Sequence, residues 1–223
     1  MRSAITERQS EALLARWQQI CREVAPYHAR LIAVSKYAPD AAVAALIAAG
    51  QRDFGESRPQ QLRDRALRWP QCNWHMIGPL QRNKAKYIGR FAASWMSLES
   101  WSQAEAVARQ TSGRILSVLI QVNVVAQAQQ HGVDAEDLSP LFQSLQQLNS
   151  LRVTGLMAMV PRGNDAPKQF VHLRRLKEAL VEASLADLCM GMSHDYQDAL
   201  AAGATMVRIG SRLFGELDVR HPV

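Results

Sequence analysis

Leu31-Ile-Ala-Val-Ser-Lys36-Tyr-Ala-Pro39-Asp40 decides the fold. Its first four residues are apolar, as in a strand covered on both faces. The run closes on Ser35 and Lys36. Pro39-Asp40 then opens an alanine-rich helix, and Gly50 ends it. An open doubly wound sheet would carry Gly-x-Gly-x-x-Gly in this first strand-to-helix turn. Ser35-Lys-Tyr-Ala-Pro39 has no glycine. The turn therefore favours a closed barrel over a dinucleotide-binding sheet.

The rest of the chain repeats the unit. Strand-like runs fall at about 30–35, 53–55, 73–77, 93–98, 115–122, 151–157, 188–190 and 206–209. Helical patterns fall between them, at about 57–69, up to 87, up to 110, and at 136–149, 166–184 and 195–202. A further helix leads the chain at 6–25, with Leu13, Leu14, Trp17, Ile20, Cys21 and Val24 at helical spacing and Pro26 beyond it. Such alternation implies parallel strands with right-handed crossovers. The expected fold is α/β: a (β/α)8 TIM barrel with an extra N-terminal helix, residues 1–223 forming one domain.

Composition sets outer bounds. The 223 residues suffice for one large core, and 48% hydrophobic with 21% charged residues is ordinary for a globular protein. No apolar stretch approaches the roughly 20 residues of a membrane span. The first ten residues lack the apolar segment of a signal peptide. A cytoplasmic location is expected. Cys21, Cys72 and Cys189 have no metal-ligand spacing and read as reduced thiols. No metal site is expected. The formal charge of +6 is concentrated around Arg58–Arg68 and Arg82–Arg90 and reads as a solvated basic face, not a nucleic-acid site.

Catalytic and binding groups of a barrel lie at the C-terminal ends of its strands, with phosphate often held after strands seven and eight. Three signals fall there. Lys36 ends the first strand. Gly191-Met192-Ser193 follows the seventh, and Gly210-Ser211 follows the eighth. Glycine lets backbone N–H groups approach an anion, serine hydroxyls add donors, and a helix start adds a favourable dipole. Lysine attacks a carbonyl as the neutral amine, the form that partial desolvation favours. An amine facing a phosphate cup suits a ligand with an aldehyde at one end and a phosphate at the other. Pyridoxal 5'-phosphate (PLP) has this pattern.

Other residues are candidates for the same rim. Arg208 lies inside an apolar strand, where a guanidinium requires partners. It is expected to point into the mouth, toward a phosphate or a ring nitrogen, or else to form a structural ion pair. Glu56 and Ser57 end the second strand. His75 is read as a cofactor contact or a satisfied core histidine, and Gln81, Asn83 and Lys84 as mouth or capping residues. Tyr37 should point away from Lys36 by strand alternation.

Ala33-Val-Ser-Lys36, Phe54-Gly-Glu56, Trp74-His-Met-Ile-Gly-Pro-Leu-Gln81, Asn83-Lys84, Gly155-Leu-Met157, Gly191-Met-Ser193 with Asp195, and Met206-Val-Arg-Ile-Gly210 together resemble the YggS/PROSC family. These are the PLP homeostasis proteins, whose fold matches the barrel domain of alanine racemase. The resemblance covers about residues 10 to 216. It implies that Lys36 carries PLP covalently as a Schiff base. It also implies that Ser193, Gly210 and Ser211 hold the phosphate, with Arg208 nearby. The chain departs from the family pattern at Ser57, where asparagine is usual, at Gln129-Gln130-His131, and in the lysine-free Leu217–Val223.

Three functions compete. A carrier would hold PLP reversibly and deliver it, touching PLP-dependent apo-enzymes only transiently; such a protein is expected to be a monomer with no nucleic-acid or membrane partner. An amino-acid racemase would need a second base opposite Lys36, supplied in alanine racemase by a further domain that does not follow the eighth strand here. An aldolase would usually place its lysine on a later strand. The expectation is the carrier, not an enzyme.

Overall fold

The structure is a computed structural model that describes residues 4–127, 129–180 and 185–217. Eight strands form its centre: β1 (Arg30–Val34), β2 (Asp53–Glu56), β3 (Asn73–Met76), β4 (Ser94–Leu98), β5 (Leu116–Gln121), β6 (Leu151–Met157), β7 (Asp187–Cys189) and β8 (Met206–Ile209). They are parallel and close into a barrel in chain order. β8 returns to β1, with Ile32 opposite Arg208 and Ala33 opposite Ile209. The helices are α1 (Glu7–Val24), α2 (Asp40–Ala48), α3 (Pro59–Arg68), α4 (Ala85–Phe91), α5 (Trp101–Ala108), α6 (Ala135–Leu145), α7 (Ala166–Ala179), α8 (Tyr196–Ala201) and α9 (Ser211–Phe214). The (β/α)8 barrel with an additional leading helix is therefore the fold.

Alternation along the strands builds two cores. Outward residues such as Phe54, Trp74, Trp95 and Val118 pack under the helices, with Phe54 and Trp74 stacked at 4.9 Å between centroids. Inward residues Ile32, Met96, Leu119, Met157, Cys189 and Met206 fill the barrel. That plug makes the interior a packed core rather than a pore. Four of its six members carry sulfur, a soft filling for an irregular space.

α1 starts in a capping box, Thr6 and Gln9 each bonding the other's backbone N–H. It closes the barrel near its last unit. Leu13, Ile20 and Val24 are buried. Arg16 donates to the carbonyls of Leu213 at 2.8 Å and Phe214 at 3.2 Å, which caps α9.

The boundaries differ from the sequence reading in a few places. The third helix starts at Pro59 rather than 57, because proline at the first turn sets the start. The segment before Phe91 is a 3-10 turn, Arg82–Lys84, followed by α4. β5 starts at Leu116, and Ile115 is exposed. α7 ends at Ala179. The expected continuation to 184 and the residues after Leu217 lie outside the described residues. No helix among the described residues is long and apolar enough to cross a membrane.

Candidate functional site

A cavity of about 520 Å³ opens at the C-terminal end of the barrel. Lys36 and Tyr37 enter it from beyond β1, Ser57 from beyond β2, and Met192 and Ser193 from beyond β7. Arg208, Gly210 and Ser211 enter from β8. Seven of the rim residues expected from sequence, Lys36, Ser57, Met192, Ser193, Arg208, Gly210 and Ser211, therefore meet in one place. Gly191, Glu56, His75, Gln81, Asn83 and Lys84 do not line it. A larger cavity of about 890 Å³ lies over α3 and shares Ser57. It contains neither Lys36 nor the residues after β7 and β8, and it is lined by both acids and bases.

The loop after β7 is shaped by one glycine and one carboxylate. Gly191 has φ +89°, and a Cβ there would come within 2.6 Å of Ala199 Cβ. Only glycine fits. Asp195 Oδ1 accepts the Met192 N–H at 2.6 Å and pulls the loop closed. Asp195 thus holds the loop instead of capping α8 with its side chain. Ser193 Oγ accepts the N–H groups of Gly210 at 3.3 Å and Arg212 at 3.2 Å. One hydroxyl thereby joins the loops after β7 and β8 into a single cup. α8 and α9 span only six and four residues, so the cup relies on N–H groups and hydroxyls rather than on helix dipoles.

Arg208 is 4% exposed and forms the floor. Its Nη1 donates to the Cys189 carbonyl at 3.0 Å and to Cys189 Sγ at 3.1 Å. Its Nη2 donates to the Ala158 carbonyl at 2.8 Å. Among the described residues it makes no ion pair, so the structural ion pair weighed from sequence does not form. Carbonyls at strand ends compensate the buried cation instead. Burial raises the Cys189 thiol pKa, against a smaller lowering effect of Arg208. The thiol is a core group under the floor.

Several sequence expectations are corrected. His75 does not reach the mouth. Its Nδ1 is 2.8 Å from Ser94 Oγ and its Nε2 2.9 Å from Asp53 Oδ1. Asp53 and Ser94 begin β2 and β4, so His75 belongs to the opposite end of the barrel. Burial alone would raise the Asp53 pKa, but the hydrogen bonds from His75 and Asn73 and the nearby positive charge of Arg30 act against it, and the net shift is downward. Glu56 is not on the rim either. It faces outward, fully buried against α3, and pairs with Arg65. Tyr37 enters the cavity because the chain turns after Ser35 and strand alternation no longer applies. Lys36 Nζ lies 5.0 Å from its ring centroid. Gln81 and Lys84 line the larger cavity, and Asn83 a small hollow beside Lys86 and Arg109.

Sequence reasoning missed Arg162 and His194, both in the wall. Arg162 sits in the Pro/Gly loop after β6, where no local pattern marks it. His194 stands between Ser193 and Asp195, and its Nε2 lies 3.3 Å from Asp195 Oδ2.

The lining residues fit an aldehyde-bearing phosphate ester. Lys36, Arg162 and Arg208 are cationic, and the wall has no Asp or Glu among the described residues. Lys36 makes no ion pair among the described residues, which leaves the amine for a carbonyl. The serine hydroxyls and loop N–H groups supply phosphate donors. Among the described residues no cluster of His, Cys, Asp and Glu could hold a metal ion.

The family described as alanine racemase, N-terminal domain, matches residues 9–218. The pyridoxal phosphate homeostasis protein of Pseudomonas aeruginosa is 39% identical over 198 residues, covering 86% of each chain. The PipY protein of Synechococcus elongatus, solved with PLP bound, superposes with a TM-score of 0.82 at 34% identity, over 91% of this chain and 100% of that one. Alanine racemase of Corynebacterium glutamicum gives a TM-score of 0.71 at 18% identity over 96% of this chain and 62% of that one, which extends the likeness of fold alone. The chain belongs to the pyridoxal phosphate homeostasis protein family, the YggS/PROSC family.

Proposed function

We propose that the chain is one PLP-binding domain that holds the cofactor reversibly on Lys36 and stores or delivers it in the cytoplasm. One observation carries this reading: Lys36 and the Ser193–Gly210 cup share a cavity whose wall, among the described residues, has three basic side chains and no carboxylate. When bound, PLP supplies an aldehyde that condenses reversibly with a primary amine. Lys36 is that amine. Ser193, Ser211 and the Gly210 N–H take the phosphate, with Met192 beside them and Gly191 setting the loop's path. Arg208 carries positive charge beneath the ligand without moving, because carbonyls fix its guanidinium. Ser57 closes the side toward β2. Lys36 and Ser193 are half-buried and Ser211 is exposed, so ligand can exchange without the barrel opening. The protein works as a monomer, and its macromolecular partners are apo-enzymes met transiently.

A racemase-like enzyme is the second reading, because Tyr37 and His194 share the cavity with Lys36. Racemisation removes a proton from Cα on one face and returns it on the other. Tyr37 comes from the same turn as Lys36, which leaves His194 as the group from another strand end. Incubation of the holo-protein with L- or D-alanine in deuterated water separates the readings. The carrier exchanges Cα far more slowly than ~1 s⁻¹; exchange with inversion at that rate or faster marks an enzyme.

A further inference from the structure

The turn that presents Lys36 is gripped from behind. Ala38 N–H donates to the Ser35 carbonyl at 2.9 Å, which makes Ser35–Ala38 a β-turn with Lys36 and Tyr37 at its tip. Arg65 of α3 holds both ends of that turn. Its Nη1 donates to the Ser35 carbonyl and its Nη2 to the Ala38 carbonyl, each at 2.8 Å. Its charge is met by Glu56 of β2 and, at 3.4 Å, by Asp40. Glu56 also accepts the Ser35 hydroxyl at 2.6 Å. Gln61, one turn earlier on α3, reaches the Lys36 carbonyl at 3.3 Å. Ser35 and Glu56 are fully buried, and Arg65 is 2% exposed.

A buried ion pair is weak evidence of stability, since apolar side chains of equal volume often serve as well. Here the pair also satisfies turn backbone, and only a planar fork reaches two carbonyls together. We propose that Glu56 and Arg65 are positioning residues for Lys36: they fix the Ser35–Ala38 turn so that Nζ meets the ligand's carbonyl carbon. Capture joins Nζ to that carbon and releases one water, with no oxidant or reductant. Arg65 lines the neighbouring cavity and not the site, so its effect passes through the turn. The inference rests on Lys36 as the covalent anchor. A displacement of about 1 Å in such a group can change a rate roughly 100-fold.

The test compares PLP with pyridoxine 5'-phosphate, which keeps ring and phosphate but has an alcohol in place of the aldehyde. The variants are Arg65→Met combined with Glu56→Gln, Arg65→Lys, and the milder Ser35→Ala. Thermal melts select the folded ones. The paired variant should bind PLP roughly 10- to 100-fold more weakly and capture it more slowly by absorbance. Its affinity for pyridoxine 5'-phosphate should stay within about twofold of wild type. Arg65→Lys should recover part of the loss, and Ser35→Ala should show a smaller loss of the same selectivity. If the paired variant does not fold, Ser35→Ala decides. Equal loss for both ligands, or no loss for either, overturns the positioning role. Failure of borohydride to label Lys36 in wild type would instead sink the covalent-anchor reading beneath it.

Discussion

Ser193 and Gly210 stand on loops that follow different strands, and the Gly210 N–H donates to Ser193 Oγ at 3.3 Å. That bond unites two weak sequence signals into one cup. On the proposed function, a phosphate would take its donors there from the Gly210 and Arg212 N–H groups that Ser193 engages and from the Ser193 and Ser211 hydroxyls.

Ser193→Ala and Ser211→Ala should therefore each weaken PLP binding by about 1 kcal/mol, roughly fivefold. Unphosphorylated pyridoxal should bind as before. Titrations with both ligands make the check. An equal loss for both would mean the serines support only the loops.

Arg208→Met should reduce stability as well as PLP affinity. It leaves the Ala158 carbonyl without its guanidinium donor and the Cys189 carbonyl with the Ala158 N–H alone. The loss should be about 2–3 kcal/mol, or a melting temperature lower by about 5–10 °C. A variant that melts like wild type would show that the carbonyls find other donors and that the floor is not held this way.

The bond between α1 and α8 should be visible in the pH dependence of stability. Burial, and then the hydrogen bond to Glu23, raise the Tyr196 pKa from 10.0 to about 12. The hydrogen bond from Tyr196 is the main cause that lowers Glu23. Folding thus favours the protonated phenol and the ionised carboxylate. The tyrosine contribution is complete below pH 10 and is lost as pH rises toward 12. The glutamate contribution is complete above its ordinary value of 4.5 and is lost as pH falls through the depressed value. Urea melts across both ranges should show these declines, and Tyr196→Phe should flatten both. Declines of equal size in the variant would place their origin elsewhere.

His75→Ala should act on stability alone. It strips the Asp53 carboxylate and the Ser94 hydroxyl of a buried partner, at about 1–3 kcal/mol. PLP affinity should stay within about twofold of wild type. A large, selective loss of PLP would return His75 to the site.

The barrel was legible because its signals are local. Leu31–Val34 reads as a doubly covered strand, and the turn at Ser35–Pro39 rules out the glycine loop of the competing sheet. The convergence of Lys36, Ser193 and Ser211 follows from one topological rule, that loops after parallel strands share a rim. Depth was not legible. Alternation assigns His75 to the barrel interior but not to its lower layer; its side-chain bonds to Asp53 and Ser94 decide that. Direction failed at Tyr37, where a turn replaces the strand period, and at Glu56, whose outward face contacts α3. Arg65 was invisible as a clamp because its partners at Ser35 and Ala38 lie 30 and 27 residues away. The carbonyl anchoring of Arg208 spans β6, β7 and β8, and no sequence spacing encodes it.

Lys36 as the covalent anchor is the central claim. Purified protein loaded with PLP should absorb in the visible, and borohydride should fix a phosphopyridoxyl group on the peptide containing Lys36 in stoichiometric yield. Peptide mapping by mass spectrometry reads the position directly. A label on Lys84 or Lys86, which line other hollows, or no label on a protein that still binds PLP, would contradict the account.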